Sequence, residues 1–158
     1  MRIQEKHIYH GAALAQIVEH PSFKALNKAD KRYGHYLVNQ NRRLLVKYRT
    51  SGDSPWQFSF PQSELALMAA DLRAGARLFL CLVCGDITVA VLGEEDVRAV
   101  LDLGGDSQQW VTVELPPNSS MRVRGSLGTL SKTVPHSAFP RLIFESEDVL
   151  SVNLGGRG

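Results

Sequence analysis

The sequence predicts an α/β (α+β) fold: a single domain in which a mixed β-sheet containing an antiparallel meander is flanked by helices. Three observations carry that expectation. Segments with helical spacing of apolar residues alternate with short strand-like segments in the order α-β-β-β-α-β-β-α-β-β. Residues 77–84, RLFLCLVC, form a nearly continuous apolar run of strand length, the pattern of a strand covered on both faces. No Ser- or Pro-rich linker and no internal repeat divides the chain, whose 158 residues are 44% hydrophobic, enough for one sizeable core. The domain is expected to span 1–150, with a flexible C-terminal tail over 151–158, where apolar content is low.

Each element follows from a local signal. Leu14, Ile17 and Val18 share a helical stripe, which predicts a first helix over 8–20 ending at Pro21. The stretch from Pro21 to Tyr33 is polar and basic, with a short helical turn expected through Phe23 and Leu26. The periodicity then changes to that of strands over 34–39, 43–50 and 56–60, separated by turn formers at 40–42 and 51–55. These three segments are expected to pair as the meander. Leu65, Met68, Ala69 and Leu72 define a second helix that Gly75 stops. The apolar run at 77–84 is placed as the central strand, and Gly85-Asp86 turns the chain into a further strand over 87–92. Residues 94–103 open with three acidic side chains, where the helix dipole favours them, and predict a third helix. Strands are expected at 110–115 and 121–126, and a short edge segment at 141–144.

Charge is unevenly distributed. Residues 1–50 hold ten Lys and Arg against three acidic residues, a net +7, whereas the rest of the chain holds eight against thirteen, a net −5. A one-sided basic cluster interleaved with Phe23, Tyr33, Tyr36 and Tyr48 has the composition of a surface that meets phosphates and stacks on bases. Its candidate nucleic-acid-binding residues are Lys31, Arg32, Arg42, Arg43, Lys47 and Arg49. If the meander strands pair directly, Lys47, Arg49, Gln57 and Ser59 share a polar face near Asn39. The competing reading of the same residues is an ordinary solvated face.

Other motifs are explained without chemistry. Cys81 and Cys84 lie three apart on a strand, hence on opposite faces, and read as core. His7, His10, His20 and His35 crowd the first part of the chain, but no HExxH frame accompanies them, and no metal site is assigned. GSLGTLSKT (125–133) lacks the Gly-Lys pair of a phosphate loop and reads as an irregular loop. No apolar run reaches the roughly 18 residues that cross a bilayer. The N-terminal MRIQEKHIYH also lacks the apolar stretch of a secretion signal. A cytoplasmic protein without membrane association is expected.

The order of helix, three-strand meander, helix and apolar strand over residues 8–92 resembles the core of the PD-(D/E)XK nuclease-like superfamily. The resemblance implies a restriction-endonuclease-like core. It would place a metal-binding carboxylate at Glu19 on the first helix, with Gln57-Phe58-Ser59 at the Glu/Gln-x-Lys site, or Leu45-Val46-Lys47 supplying the Lys. Catalytic residues under that reading are Glu19, Lys47 and Gln57, with Mg²⁺ as cofactor. In either alignment the second-strand acid is missing, with Asn39 and Asp53 the nearest residues. No cofactor is expected unless the protein is an enzyme. The leading expectation is therefore a nuclease-like domain without catalysis that binds nucleic acid, DNA first, as a recognition or accessory subunit. The alternative is a protein-interaction module acting with a protein partner in a larger complex. It is supported by the acidic two thirds of the chain, including Glu145-Ser146-Glu147-Asp148, and by open strand edges. An active metal-dependent nuclease is the third reading.

Overall fold

A computed structural model describes residues 2–145, and the expected tail over 151–158 lies outside the described residues. The elements run α1 (Glu5–Glu19), β1 (Leu26–Lys28), β2 (His35–Val38), β3 (Arg42–Arg49), β4 (Trp56–Phe60), α2 (Gln62–Arg73), β5 (Arg77–Cys84), β6 (Thr88–Gly93), α3 (Glu94–Val100), β7 (Gln109–Glu114) and β8 (Arg122–Gly125). Residues 138–145 form α4, a helix where a short edge segment was expected. The domain is mixed α/β, as the pattern of periodicities requires. Among the described residues, no helix is long and apolar enough to cross a membrane.

Two sheets share the core where one was expected. The larger has the order β1-β2-β3-β5-β6 and the smaller β4-β7-β8. The meander is real but sits one strand earlier than expected. It consists of β1, β2 and β3, paired antiparallel, and β1 replaces the helical turn expected near Leu26. The third expected strand, Trp56–Phe60, pairs instead with β7. The reason is that a strand has two edges, and β3 gives one to β2 and the other to β5. The β3–β5 ladder is parallel and runs the full length of both strands, from Arg42↔Arg77 to Arg49↔Cys84. A parallel neighbour needs a long crossover, and β4 with α2 forms it.

The departure of β4 is fixed at its start. The Trp56 indole Nε1 donates to the Ser51 carbonyl at 2.7 Å, which folds residues 51–56 back on themselves. Trp56, Phe58 and Phe60 are then buried while Gln57 and Ser59 face outward, so the alternation of this strand serves the second sheet. β5 is buried from Leu78 to Cys84, as its continuous apolar run predicts. Cys81 and Cys84 are both buried and unbridged. Burial pushes the Cys81 thiol far up and that of Cys84 up to about 12, so both are inert core side chains.

The two long helices lie on opposite faces of the larger sheet. On β3, the Tyr48 hydroxyl donates to Glu5 of α1, while the preceding Lys47 pairs with Glu64 of α2. Alternation along the strand thus separates an α1 side from an α2 side. Phe60, under the Lys47 ammonium at 4.7 Å, puts the smaller sheet on the α2 side.

Candidate functional site

Three of the chain's four tyrosines meet at one histidine, and the fourth stacks on one of the three. His10 on α1 is buried, with Tyr33 at 4.6 Å, Tyr48 at 5.6 Å and Tyr36 at 6.2 Å between ring centroids. Tyr9 stacks on Tyr48 at 5.0 Å with the rings 7° apart, and the Tyr36 hydroxyl lies 3.3 Å from His10 Nδ1. Strand parity explains the gathering. Tyr36 pairs with Leu44 and so shares the α1 side with Tyr48, four residues along β3. Tyr33 comes from the loop before β2 and is 47% exposed, the open member of the cluster. The Lys6 ammonium sits over its ring at 4.3 Å. Lys31 and Arg32, both exposed, precede it in the same loop.

Gly34 makes this arrangement possible. It holds φ +91°, and a Cβ there would lie 2.8 Å from the Val46 carbonyl oxygen and 3.0 Å from His10 Cε1. The bare backbone lets the loop lie on β3 and α1, with the Val46 amide donating to the Gly34 carbonyl at 2.7 Å.

The α2 side of the same strands carries a polar network. His35 is 1% exposed; its Nε2 lies 2.7 Å from Asp71 Oδ2 and its Nδ1 3.2 Å from Asp30 Oδ2. Arg43 reaches the other Asp71 oxygen at 3.3 Å. Lys47 pairs with Glu64, and Arg32 reaches the second Glu64 oxygen at 3.9 Å. Asp30 also accepts from the Arg32 backbone N–H at 2.8 Å, so the basic loop is tied down through its own aspartate.

The two buried histidines are shifted in opposite directions. Burial, reinforced by the Lys6 charge, lowers His10 to about 4, so its ring is neutral near pH 7. For His35, burial opposes the charge, but Asp71 and then Asp30 outweigh it and the pKa is raised. Because the unfolded value is near 6.5, the His10 contribution to stability is complete above that pH and is lost as pH falls towards 4. The His35 contribution is complete below 6.5 and is lost as pH rises through its raised folded value. A urea midpoint measured across this range should therefore peak near pH 6.5. His10→Gln should flatten the acid limb and His35→Gln the alkaline one. A midpoint that climbs steadily to alkaline pH contradicts the His35 assignment.

The residues singled out from sequence are dispersed. Arg42 and Arg43 point to opposite faces. Arg42 is 5% exposed, and its Nε donates to the Ile143 carbonyl at 2.6 Å, where it clamps α4. Arg43 and Lys47 are engaged by Asp71 and Glu64. Lys31, Arg32 and Arg49 are exposed, but parity sends Arg49 to the Lys47 side, away from Tyr48. Glu19 is exposed at the end of α1, on the face opposite Lys47. Gln57 faces outward from the second sheet opposite Thr112, so Glu19, Lys47 and Gln57 do not converge. The shared polar face expected for Lys47, Arg49, Gln57 and Ser59 is likewise divided between two sheets, because β5 occupies the edge of β3 that β4 would need. Asn39 holds a turn: at φ +56° its Oδ1 accepts from the backbone of Lys24 at 2.7 Å and Ala25 at 3.2 Å. Among the described residues, no three His, Cys, Asp or Glu side chains gather in a metal-holding group.

Sequence reading marked Tyr33, Tyr36 and Tyr48 but missed Tyr9 and His10 as their partners. A signal existed, since Tyr9-His10 lies in the first helix and Tyr48 on a predicted strand. Only the packing of α1 on β3 unites them.

The architecture defines a mixed α/β domain whose basic N-terminal part presents an aromatic cluster. No known protein family, curated protein or solved structure matches the chain.

Proposed function

We propose that this chain binds nucleic acid without cutting it, as a recognition or accessory subunit with a degenerate PD-(D/E)XK-like core. The observation that supports the reading is the gathering of three tyrosines at His10, with Tyr9 stacked on one of them, beside the exposed Lys31-Arg32-Tyr33 loop and Lys6. Aromatic rings offer stacking surfaces and the ammonium and guanidinium groups offer phosphate contacts, the two components that nucleic-acid sites combine. The separation of Glu19, Lys47 and Gln57 supports a binding role over hydrolysis, because metal-assisted cleavage needs its ligands around one point.

The test is fluorescence polarisation with labelled DNA and RNA, single- and double-stranded, at several salt concentrations with Mg²⁺ present and products run on a gel. Affinity should fall steeply with salt while the substrate stays intact. Lys31→Ala combined with Arg32→Ala should reduce the slope of log K against log salt by roughly 1.4 for a single strand, the loss of two phosphate contacts. Cleavage of the substrate would refute the non-catalytic part. Absence of binding to every nucleic acid at low salt would overturn the reading and leave the protein-partner alternative.

A further inference from the structure

Resting on the nucleic-acid reading above, we infer that the ligand is a single strand and that one unpaired base stacks on Tyr33. Among the five rings of the cluster, Tyr33 alone is exposed, and His10 packs beneath it with Tyr36 and Tyr48 around His10 in turn. His10, the ring packed directly against Tyr33, is 4% exposed and lies in α1, so the floor is fixed by a helix rather than by a loop. Gly34 then fixes the height of Tyr33, since any Cβ would press on the Val46 carbonyl and lift the loop off His10. A ring held in this way loses little freedom when a base stacks on it, which is the condition for a stacking platform.

The nature of the surface selects a single strand. A duplex hides its base faces in its own stack and is read by an element that enters a groove. Here the basic groups flank a ring lying in a tied-down loop, with Asp30 anchored to both Arg32 N–H and His35. Lys6 now occupies the Tyr33 ring at 4.3 Å and is partly exposed. In the complex the base takes the place of the ammonium, which moves to an adjoining phosphate. The neutral state of His10 leaves the inner side of the platform without a second positive charge.

The experiment titrates the full chain with three labelled probes of equal length: oligo-dT, the matching abasic sugar-phosphate strand and a dA·dT duplex. Oligo-dT should bind at least about fivefold more tightly than the abasic strand, the lower bound for one stacked base. The duplex should bind more weakly than oligo-dT. Tyr33→Ala should remove the advantage of oligo-dT over the abasic strand and leave the salt slope unchanged, while Tyr33→Phe should retain that advantage. Lys6→Ala should lower the slope by about 0.7, one phosphate on a single strand. Equal binding of oligo-dT and the abasic strand, or full affinity in Tyr33→Ala, overturns this inference while the nucleic-acid reading stands. Failure of all three probes, and of oligo-rU titrated in the same way, to bind at low salt overturns the nucleic-acid reading itself.

Discussion

Asp71→Ala should lower the unfolding free energy by about 3 to 5 kcal/mol, the usual cost of removing one member of a buried ion pair. Asp71 is 4% exposed and serves two basic side chains from α2, with one oxygen on His35 Nε2 and the other on Arg43. His35 has no route to water, being 1% exposed on an interior strand between β1 and β3. Without Asp71, its Nε2 is left buried and unpaired, and the raised pKa loses the first of its carboxylate causes. Arg43, with about a third of its side chain exposed, can turn to solvent. A double-mutant cycle should accordingly find stronger coupling of Asp71 to His35 than to Arg43. Urea denaturation followed by circular dichroism measures both, with the Asp71→Ala midpoint falling by on the order of 1.5 M. A loss below about 1 kcal/mol would mean that the network is ornamental to the fold. The alkaline limb of the stability profile should shrink in the same variant, since Asp30 is then the one carboxylate left to raise His35.

Gly85→Ala is expected to be comparably damaging, at about 3 kcal/mol or more, through geometry rather than charge. Gly85 turns β5 into β6 at φ +57°, and a Cβ there would lie 2.3 Å from the Ser51 carbonyl oxygen. That carbonyl is the acceptor for the Trp56 indole, and the Gly85 amide itself donates to the Arg49 carbonyl at 2.8 Å. The substitution therefore strikes the point where the chain leaves the larger sheet and enters the smaller one. Two other glycines separate the contributions. Gly75 has φ +82° with open space around it, so Gly75→Ala should show only the left-handed backbone cost of about 1 to 2 kcal/mol. Gly52 has neither a positive φ nor a neighbour within 4 Å, and Gly52→Ala should be close to neutral. Thermal unfolding of the three variants should rank them in that order. A Gly85→Ala protein no less stable than Gly75→Ala would show that the contact with Ser51 relaxes freely.

These two variants also divide the molecule usefully for binding studies. Asp71 and Gly85 belong to the α2 side and to the sheet crossover, whereas the tyrosine cluster lies on the α1 side. Tyr33 and Lys6 are the positions at which binding should change far more than stability does, because both side chains reach solvent.

Local sequence was sufficient wherever the determining interaction is local. The apolar spacing of Leu65 and Met68 set α2, the unbroken run from Leu78 to Cys84 set a strand buried on both faces, and the alternation of Trp56, Phe58 and Phe60 set a half-buried strand. Each of these signals states how much of a segment is buried, and none states against what. The segment at 141–144 is short and apolar, a pattern that strand and helix share, and its place beside Arg42 and His20 settled it as part of a helix.

The candidate site divides along the same line. The excess of basic residues before position 50 and the aromatic residues among them were fixed by the sequence itself. Their usefulness was not, because charge count is blind to pairing: Arg43 and Lys47 are held by acids of α2, and Arg42 is spent on the Ile143 carbonyl. Whether β4 would lie beside β3 depended on which strand claimed the second edge of β3, and a parallel partner some thirty residues on claimed it. Likewise, nothing local joins Tyr9 and His10 to Tyr33, Tyr36 and Tyr48. The sequence determined the elements and the charge, since these follow from periodicity and composition. Tertiary structure alone decided the partners, since long-range pairing is a competition among surfaces for a limited number of edges and faces.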